Sequence, residues 1–359
     1  MAYKLVYSQK ISALQNSANI SITIHKDVSL KPYNTFGIEA RAKYFAEVDS
    51  ITQVREIISL PEINKLPVLI LGGGSNLLFT QDFEGLVIKN NLKGIEVVKE
   101  DNNHVWVKAA AGENWHQFVL WCIDKGYAGV ENLSLIPGCV GAAPMQNIGA
   151  YGVEVKDVFD SVQFVMLGTG EVLNYNAEQC QFGYRESVFK HGLKNKIFIS
   201  SVTFRLDKSP QFNITYGDIQ NTLAEMNLSE ISIKAVSDAV ISIRQSKLPN
   251  PAELGNSGSF FKNPEIPTPQ FEELQKQFPE IKGYALPNNL TKVPAGWLIE
   301  QCGWKGKVVG NTGSHKRQAL VLVNYGGATG NEVKQLAYAI IDSVKEKFGI
   351  ELHPEVNII

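Results

Sequence analysis

The pattern of apolar and polar positions in the first half of the chain predicts alternating strands and helices. Apolar residues recur at helical spacing in 52–60 (TQVREIISL) and in 114–126 (NWHQFVLWCIDKG). A continuous apolar run in 67–78 (PVLILGGGSNLL) predicts a buried strand that ends in a glycine loop, and GLVIKN and HVWVKAAAG predict further strands. Two apolar runs in 162–176 predict a hairpin whose turn lies at Gly168 to Gly170. Residues 1–20 predict a loosely ordered start.

The second half shows the same mixture. Strands are predicted at 197–206 and 319–324, and helices at 229–246, 270–278, 295–304 and the end of the chain. In the last helix, Thr329 and Glu332 form a capping box. One apolar face of that helix comprises Val333, Leu336, Ala337, Ile340, Ile341, Val344 and Phe348. The composition shifts after Lys247, which indicates a domain boundary nearby.

Length and composition narrow the class of protein. A chain of 359 residues exceeds the usual size of one hydrophobic core, so we expect two or three domains. The 34 lysines and arginines nearly balance the 36 aspartates and glutamates, which leaves no overall basic surface for nucleic acid. Neither a signal-peptide core nor an apolar run of about 18 residues is present, so we expect a cytoplasmic protein without a membrane partner.

Cysteine and histidine spacings give no support to a metal site. The four cysteines lie far apart without a C-x-x-C pair, and the six histidines include no H-x-x-x-H pair. We therefore expect reduced cysteines and no bound metal.

The glycine loop 72–76 follows a buried strand, a setting in which backbone N–H groups can surround a phosphate. As a dinucleotide fingerprint the loop fails, because Leu77 stands where the third glycine belongs. A glycine turn that binds nothing is the alternative at this point.

The stretch 132–153 contains no charged side chain and has irregularly spaced glycines. This pattern is too apolar for a solvated linker and too broken for a helix, and it indicates a rigid wall that suits a flat ligand bearing phosphates. A buried crossover segment is the alternative, but so much irregular backbone would leave many N–H and C=O groups in need of partners.

Three short segments carry candidate chemistry. Arg185 lies between aromatic residues in YRESVFK, where an anion-binding role and a surface helix start are both open. Ser259 lies in GNSGSFFKNP, either in an ordinary turn or as a hydroxyl held at a pocket edge. Glu355 lies among apolar residues in HPEVNII, which makes it a candidate for a raised pKa or a member of a terminal surface strand.

These segments occur in an order that resembles the UDP-N-acetylenolpyruvoylglucosamine reductase family of flavoenzymes, which act in bacterial cell-wall precursor synthesis. The resemblance spans roughly residues 30–359. The motifs that carry it are NTFGI (34–38), LGGGSNLL (71–78), ENLSLIPGCVGAAPMQNIGAYG (131–152), YRESVFK (184–190), GNSGSFFKNP (255–264), PAGWLIEQCGWKG (294–306) and HPEV (353–356). The tyrosine-bearing loop around Tyr216 resembles the longer, type I form of the family.

The resemblance implies an α+β architecture with a vanillyl-alcohol-oxidase-type FAD-binding region of two subdomains and a C-terminal substrate-binding domain. We expect subdomain 1 at 1–85, joined by 351–359, subdomain 2 at 86–228, and the substrate domain at 229–350. FAD is expected to be non-covalent, because the glycine loop has no histidine. The expected FAD-binding residues are Leu71, Gly72, Gly73, Gly74, Ser75, Asn76, Pro137, Gly138, Gly141, Ala142, Gln146, Asn147, Gly149, Ala150 and Tyr151.

The reaction implied by the resemblance is the reduction of UDP-N-acetylglucosamine enolpyruvate, with NADPH as co-substrate. A hydride goes from flavin N5 to C3 of the enolpyruvyl group, and Ser259 is expected to donate the proton to C2. Arg185 and Glu355 are expected to stabilise the enolic carboxylate, with Glu355 protonated or sharing a proton. The expected substrate contacts are Tyr184, Tyr216, Lys247, Asn263 and Gln301.

One departure and two alternatives accompany this interpretation. Asn357 stands where some members of the family have an arginine, which puts a cationic flavin contact at that position in doubt. Another FAD oxidoreductase of the same fold, acting on an alcohol or aldehyde, is the first alternative. A nucleotide-sugar-binding protein without catalysis is the second. We expect a monomer whose partner is a nucleotide sugar.

Overall fold

A computed structural model describes residues 22–359, so the predicted loosely ordered start at 1–20 lies outside the described residues. The fold mixes strands and helices as the sequence predicts. The strands are β1 His25–Ser29, β2 Arg41–Val48, β3 Val68–Leu71, β4 Leu77–Leu78, β5 Phe83–Asn90, β6 Ile95–Glu100, β7 His104–Ala110, β8 Gly149–Ala150, β9 Val153–Glu154, β10 Phe159–Met166, β11 Val172–Asn176, β12 Ile197–Asp207, β13 Gly255–Ser259, β14 Glu265–Pro267, β15 Tyr284–Leu286, β16 Leu290–Lys292, β17 Val308–Val309, β18 Thr312–Ser314, β19 Val321–Asn324 and β20 Asn357–Ile358. The helices are α1 Ile51–Ile58, α2 Trp115–Asp124, α3 Ala177–Cys180, α4 Ile219–Glu225, α5 Ile233–Lys247, α6 Thr268–Gln277, α7 Ala295–Gln301 and α8 Gly330–Phe348.

The first sheet has the strand order β1-β2-β5-β3 and carries the glycine loop at the end of β3. β2 and β3 both run parallel to β5, while β1 is antiparallel to β2. The predicted helix at 52–60 is confirmed as α1, which begins after the N-cap Ser50, whose side chain accepts a hydrogen bond from the Gln53 N–H. The carboxyl end of β3 therefore delivers the glycine loop to the edge of this sheet.

The second sheet is antiparallel, with the order β11-β10-β12-β7-β6. The predicted hairpin is confirmed, since β10 and β11 pair around the turn at 168–170. The predicted helix at 114–126 is α2, which packs Trp115 and Phe118 against Phe204 of β12. The irregular stretch 132–153 packs against this apolar core.

Helices α4 and α5 pack together around a small core of their own, with Ile219 of α4 and Val236 of α5 among its buried residues. Tyr151 and Phe212 pack against this cluster from the side of the second sheet. The predicted domain boundary between residues 228 and 229 falls between these two packed helices, and the division of the chain stays a prediction.

The C-terminal part contains the sheet β13-β19-β18-β17, the small sheet β14-β16-β15 and the long helix α8. The capping box of Thr329 and Glu332 is confirmed, and so is the apolar face predicted for α8, whose members are all buried. This face shares one hydrophobic core with residues of the first sheet, such as Phe45 and Val87. β20 pairs with β4 in parallel, so the end of the described chain returns to the glycine loop.

No helix between residues 22 and 359 combines the length and the apolar composition that a membrane crossing requires.

Candidate active site

The glycine loop 72–76 is pressed against the start of the uncharged stretch. A Cβ atom added to Gly73 would lie 2.8 Å from the Cα of Gly138, so side chains at these two positions would force the loops apart. Gly74 has a φ of +62° and approaches the carbonyl of Tyr33. The Ser75 hydroxyl donates to the carbonyl of Pro137 at 3.2 Å. The two loops thus form one continuous glycine-lined surface.

This surface fits the diphosphate of the FAD that the resemblance implies. The backbone N–H groups of Gly73, Gly74 and Ser75 donate no hydrogen bond to any group among residues 22–359. Free N–H groups in a glycine loop form a concave donor set that favours an anion. The residues Leu71, Gly72, Gly141, Ala142 and Ala150 lie on the same two segments, and Cys139 lies beside Gly72.

The uncharged stretch holds the side chain of Arg185, one of the predicted catalytic residues. Asn147 is buried in the left-handed region, with a φ of 45°, and its amide group bonds Glu154, Gly183 and Lys156. Its carbonyl and that of Gly149 accept hydrogen bonds from the Arg185 guanidinium, at 3.5 Å and 2.8 Å. The backbone of the wall therefore fixes the orientation of Arg185.

Arg185 and Glu355 form a largely buried ion pair. Arg185 Nε lies 3.0 Å from Glu355 Oε1, and the two side chains are only 18% and 13% exposed. The N–H bond on Nε is not aligned with that oxygen, so this buried donor has no hydrogen-bond acceptor within the described structure. Arg185 itself has a φ of 56°, a strained conformation for a non-glycine residue, which is typical of functional sites.

Gln146 connects this ion pair to the glycine loop. Its Nε2 donates to Glu355 Oε1 at 3.1 Å, and its Oε1 accepts from Asn76 Nδ2 at 2.9 Å. Asn76 Nδ2 also donates to the backbone carbonyl of Glu355 at 3.3 Å. Gln146 and Asn76 are residues predicted to bind FAD, and their amide groups are occupied by each other and by Glu355.

Burial raises the pKa of Glu355 above its ordinary value, although the positive charges of Arg185, Lys190 and Lys262 act in the opposite direction. The two lysines converge on Glu186, which accepts hydrogen bonds or ion pairs from both. For Glu186, burial raises the pKa, but the lysines outweigh it, and the net shift is downward. The site is therefore a mostly positive cluster of side chains around one carboxyl group whose pKa is raised by burial.

The backbone that follows Ser259 pairs with the backbone around Glu355. The N–H of Glu355 donates to the carbonyl of Phe260 at 2.8 Å, and the N–H of Lys262 donates to the carbonyl of His353 at 3.0 Å. The sequence predicts a sharp bend at 255–264, and the structure has strand β13 with a register shift between Asn256 and Ser259. The Ser259 side chain is exposed and forms no hydrogen bond with any described residue.

Tyr184 contacts Asn263, a residue of the C-terminal part of the chain. The Tyr184 hydroxyl contacts the backbone N–H of Asn263, and burial raises the pKa of Tyr184. The ammonium group of Lys292 lies 3.6 Å from the Tyr184 ring centroid, a cation–π distance. The Asn263 side chain accepts from the N–H of Ala295 at 3.0 Å, at the start of α7.

Tyr216 and Lys247, two predicted substrate contacts, both lie near Tyr151. Lys247 ends α5 and pairs with Asp218, and both side chains are about half exposed. Burial raises the pKa of Tyr216, and Arg185 and the hydroxyl of Tyr284 are close enough to influence it. Tyr216 also packs beside Gly152 at the end of the uncharged stretch.

Gln301 is the predicted substrate contact that the structure places apart. It is exposed at the last position of α7, the opposite end of that helix from Asn263. Its carbonyl accepts a hydrogen bond from Lys347 of α8.

The sequence predictions missed three cationic residues of the site, namely Lys190, Lys262 and Arg244. Arg244 donates from Nε to the carbonyl of Leu135 at 3.3 Å and contacts the Tyr151 side chain. A signal for Arg244 exists in the sequence, because it lies one helical turn before Lys247 and so faces the same side. Lys190 and Lys262 are brought together only by tertiary structure.

Comparisons with known proteins agree with this arrangement. Residues 250–359 match the family described as UDP-N-acetylenolpyruvoylglucosamine reductase, C-terminal domain, and residues 42–176 match the family described as FAD binding domain. The predicted α+β flavoprotein fold is thus confirmed.

Curated relatives match over almost their whole length. The UDP-N-acetylenolpyruvoylglucosamine reductase of Amoebophilus asiaticus is 52% identical over 336 residues, which cover 94% of this chain and 99% of that protein. The protein of the same name from Flavobacterium johnsoniae is 53% identical over 337 residues, with the same two coverages of 94% and 99%.

A solved structure shares the fold. The crystal structure of UDP-N-acetylenolpyruvylglucosamine reductase from Thermus caldophilus superimposes with a TM-score of 0.65 at 22% identity and covers 94% of this chain and 99% of its own.

Proposed function

The chain belongs to the UDP-N-acetylenolpyruvoylglucosamine reductase family, and we propose that it uses NADPH and non-covalent FAD to reduce UDP-N-acetylglucosamine enolpyruvate to UDP-N-acetylmuramate. The product is a precursor of peptidoglycan. We also propose that the monomer is active.

One observation carries the proposal. Glu355 bonds both the glycine loop, through Asn76 at 3.3 Å, and the Ser259 strand, through the Phe260 carbonyl at 2.8 Å. The segment that would hold the cofactor and the segment that would hold the proton donor are therefore tied to the same carboxyl-bearing residue.

The proposed hydride addition requires a site that stabilises negative charge. Adding a hydride to a double bond beside a carboxylate places charge on C2 and on the carboxylate oxygens. Arg185 has a buried N–H without an aligned acceptor, and a substrate carboxylate oxygen would supply one. Lys190 and Lys262 add positive charge around Glu355.

Bound FAD would supply the hydride chemistry, accepting electrons from NADPH and delivering them to C3 of the substrate. The chain supplies the proton. Ser259 presents an exposed hydroxyl on a strand braced by the buried Phe260 and Phe261. Because a serine hydroxyl is a weak acid, proton transfer to C2 depends on the positive groups around Glu355, which stabilise the charge left behind.

The remaining predicted contacts bind the nucleotide sugar in this proposal. Lys247 and Tyr216 would meet the diphosphate, with Tyr184 beside them, and Asn263 would be a further contact to the substrate. Gln301 is part of the prediction, although its position at the end of α7 gives this contact no support.

A spectroscopic experiment tests the function. The purified protein should show the yellow flavin spectrum, anaerobic NADPH should bleach it, and UDP-N-acetylglucosamine enolpyruvate should restore the colour while UDP-N-acetylmuramate forms. Bleaching by an alcohol or aldehyde instead would favour an oxidase of the same fold. A colourless protein that binds the nucleotide sugar without turnover would favour a binding protein.

A further inference from the structure

The two oxygens of the Glu355 carboxyl group have different surroundings. Oε1 lies 3.1 Å from Gln146 Nε2 and 3.0 Å from Arg185 Nε. Oε2 receives no hydrogen bond from any residue in the described range 22–359. The carboxyl group is therefore held from one side only.

The orientation of the Gln146 amide follows from the network. The backbone carbonyl of Glu355 can only accept a hydrogen bond, so the atom of Asn76 that faces it at 3.3 Å must be the NH2 group. That NH2 group also faces Gln146 at 2.9 Å, so Gln146 must present its carbonyl oxygen there. The NH2 group of Gln146 then necessarily points at Glu355 Oε1.

Charged and titratable groups surround Glu355 from several elements. Tyr184, Arg185 and Lys190 lie on the 183–191 segment, and Lys262 follows β13. Of the cations, Arg185 alone forms an ion pair with Glu355 within the described residues. Gln146 is thus the neutral donor that complements Arg185 at Oε1.

We propose that Gln146 is a positioning residue for Glu355: its hydrogen bond to Oε1, beside the Arg185 guanidinium, leaves Oε2 as the oxygen that carries the proton and shares it with the enolic carboxylate of the substrate, while Ser259 remains the proton donor to C2. The inference deepens the proposed function and rests on it for the identity of that substrate. A proton on Oε1 would face the NH2 group of Gln146 and the nearby Arg185 guanidinium, whereas a proton on Oε2 meets no donor among residues 22–359.

Gln146 thus determines which oxygen of the Glu355 carboxyl group carries the proton. With Gln146 in place, the carboxyl group has one orientation and one protonated oxygen. Without it, the carboxyl group can rotate about its last bond, and the charged form loses a hydrogen-bond donor. Loss of a donor to the charged form raises the pH at which the proton leaves.

Infrared spectroscopy of the holoenzyme tests this directly. The C=O stretch of protonated Glu355, identified by its absence in Glu355→Gln, is followed through a pH titration. In Gln146→Met we expect the titration midpoint to rise by roughly one pH unit, the size of one hydrogen bond to a charged group. In Gln146→Glu we expect a larger rise, by about two units, because two adjacent carboxylates resist joint ionisation.

Gln163→Glu is the matched control, since it makes the same exchange on β10, where the amide bonds Ser200 and Asn174. It should leave the Glu355 midpoint unchanged. The pH at which substrate reduction declines should move with the infrared midpoint in both Gln146 variants and should stay in place in Gln163→Glu.

Two results would overturn the inference. One is an unchanged Glu355 midpoint in whichever Gln146 variant folds with FAD bound. The other is loss of FAD from both variants together with a wild-type midpoint after reloading, which would make Gln146 a cofactor contact only. The infrared titration needs no turnover, so a wild-type enzyme that fails to reduce the enolpyruvyl sugar would refute the proposed function and leave this test intact.

Discussion

Ser257 and Ser259 lie two residues apart on β13, yet the first is 7% exposed and the second is exposed. In a regular strand, residues two apart face the same side. Here Gly258 has a φ of +71°, and the pairing with β19 shifts register between Asn256 and Ser259. The bulge turns one hydroxyl inward, without a hydrogen-bond partner among the described residues, and the other outward.

Ser259→Ala should separate the two halves of the proposed reaction. Flavin reduction by NADPH should keep its rate, while reoxidation by the enolpyruvyl sugar should slow by about 10²–10⁴-fold, the usual contribution of a general acid. Stopped-flow absorbance measures each step. Ser257→Ala is the matched control and should leave both rates near wild type. Equal losses in both steps for Ser259→Ala would refute its role as the proton donor.

Glu355→Gln should keep FAD bound and slow substrate reduction by about 10²-fold or more. Burial raises the pKa of Glu355, so the working protonated form persists above the ordinary range and the wild-type rate should fall as pH rises through that raised value. In Glu355→Gln, the rate should not show this decline with rising pH. A pH profile of single-turnover reoxidation measures both effects, and wild-type turnover in the variant would contradict the assignment.

The same group links stability to pH. A carboxyl group whose pKa is raised by folding binds more protons in the folded state than in the unfolded state. Its contribution to the free energy of unfolding therefore decreases as pH rises from the ordinary value toward the raised one. Denaturant titrations at several pH values should show this decrease in the difference between the free energies of unfolding of wild type and Glu355→Gln, in which the contributions of the other carboxyl groups cancel.

Gly73→Ala should weaken FAD binding by about tenfold or more, because the new methyl group would lie 2.8 Å from the Gly138 Cα and force backbone apart. Gly168→Ala is the control, since nothing lies within 4 Å of a Cβ at that turn. Flavin fluorescence during dilution measures the dissociation constant. If both variants hold FAD equally well, the two glycine loops do not form the cofactor surface.

Lys247→Met should raise the KM for the enolpyruvyl sugar by about tenfold or more while kcat changes little, because a charged contact to the diphosphate is lost. Lys234→Met on the same helix is the control, since Lys234 pairs with Asp238 one helical turn away and its side chain is 73% exposed. Steady-state kinetics with both variants decides the matter. An unchanged KM in Lys247→Met would remove this residue from the substrate site.

Elements with a local cause could be predicted from the sequence. The apolar face and capping box of α8 lie within one segment, so periodicity and capping chemistry locate them. The β10–β11 hairpin has its turn glycines between two apolar runs. The three catalytic candidates came from a resemblance of motifs, and the structure brings Arg185 and Glu355 into direct contact.

Relations between distant segments could not be predicted in this way. Spacing alone does not show that Gln146 bridges Asn76 and Glu355, or that Lys262 meets Glu186, because each contact joins segments that approach only in the folded chain. Gln301 shows the opposite case, since its motif is in place while its side chain lies at the far end of α7.

The hydrogen bond from Asn76 to Glu355 joins residues 279 positions apart in the chain. Closing so long a loop is slow compared with forming helices and hairpins. During refolding from denaturant, circular dichroism should therefore recover before catalytic competence does. The rate at which enzyme activity recovers would therefore report when these two segments come together. Probes of secondary structure would not detect this step.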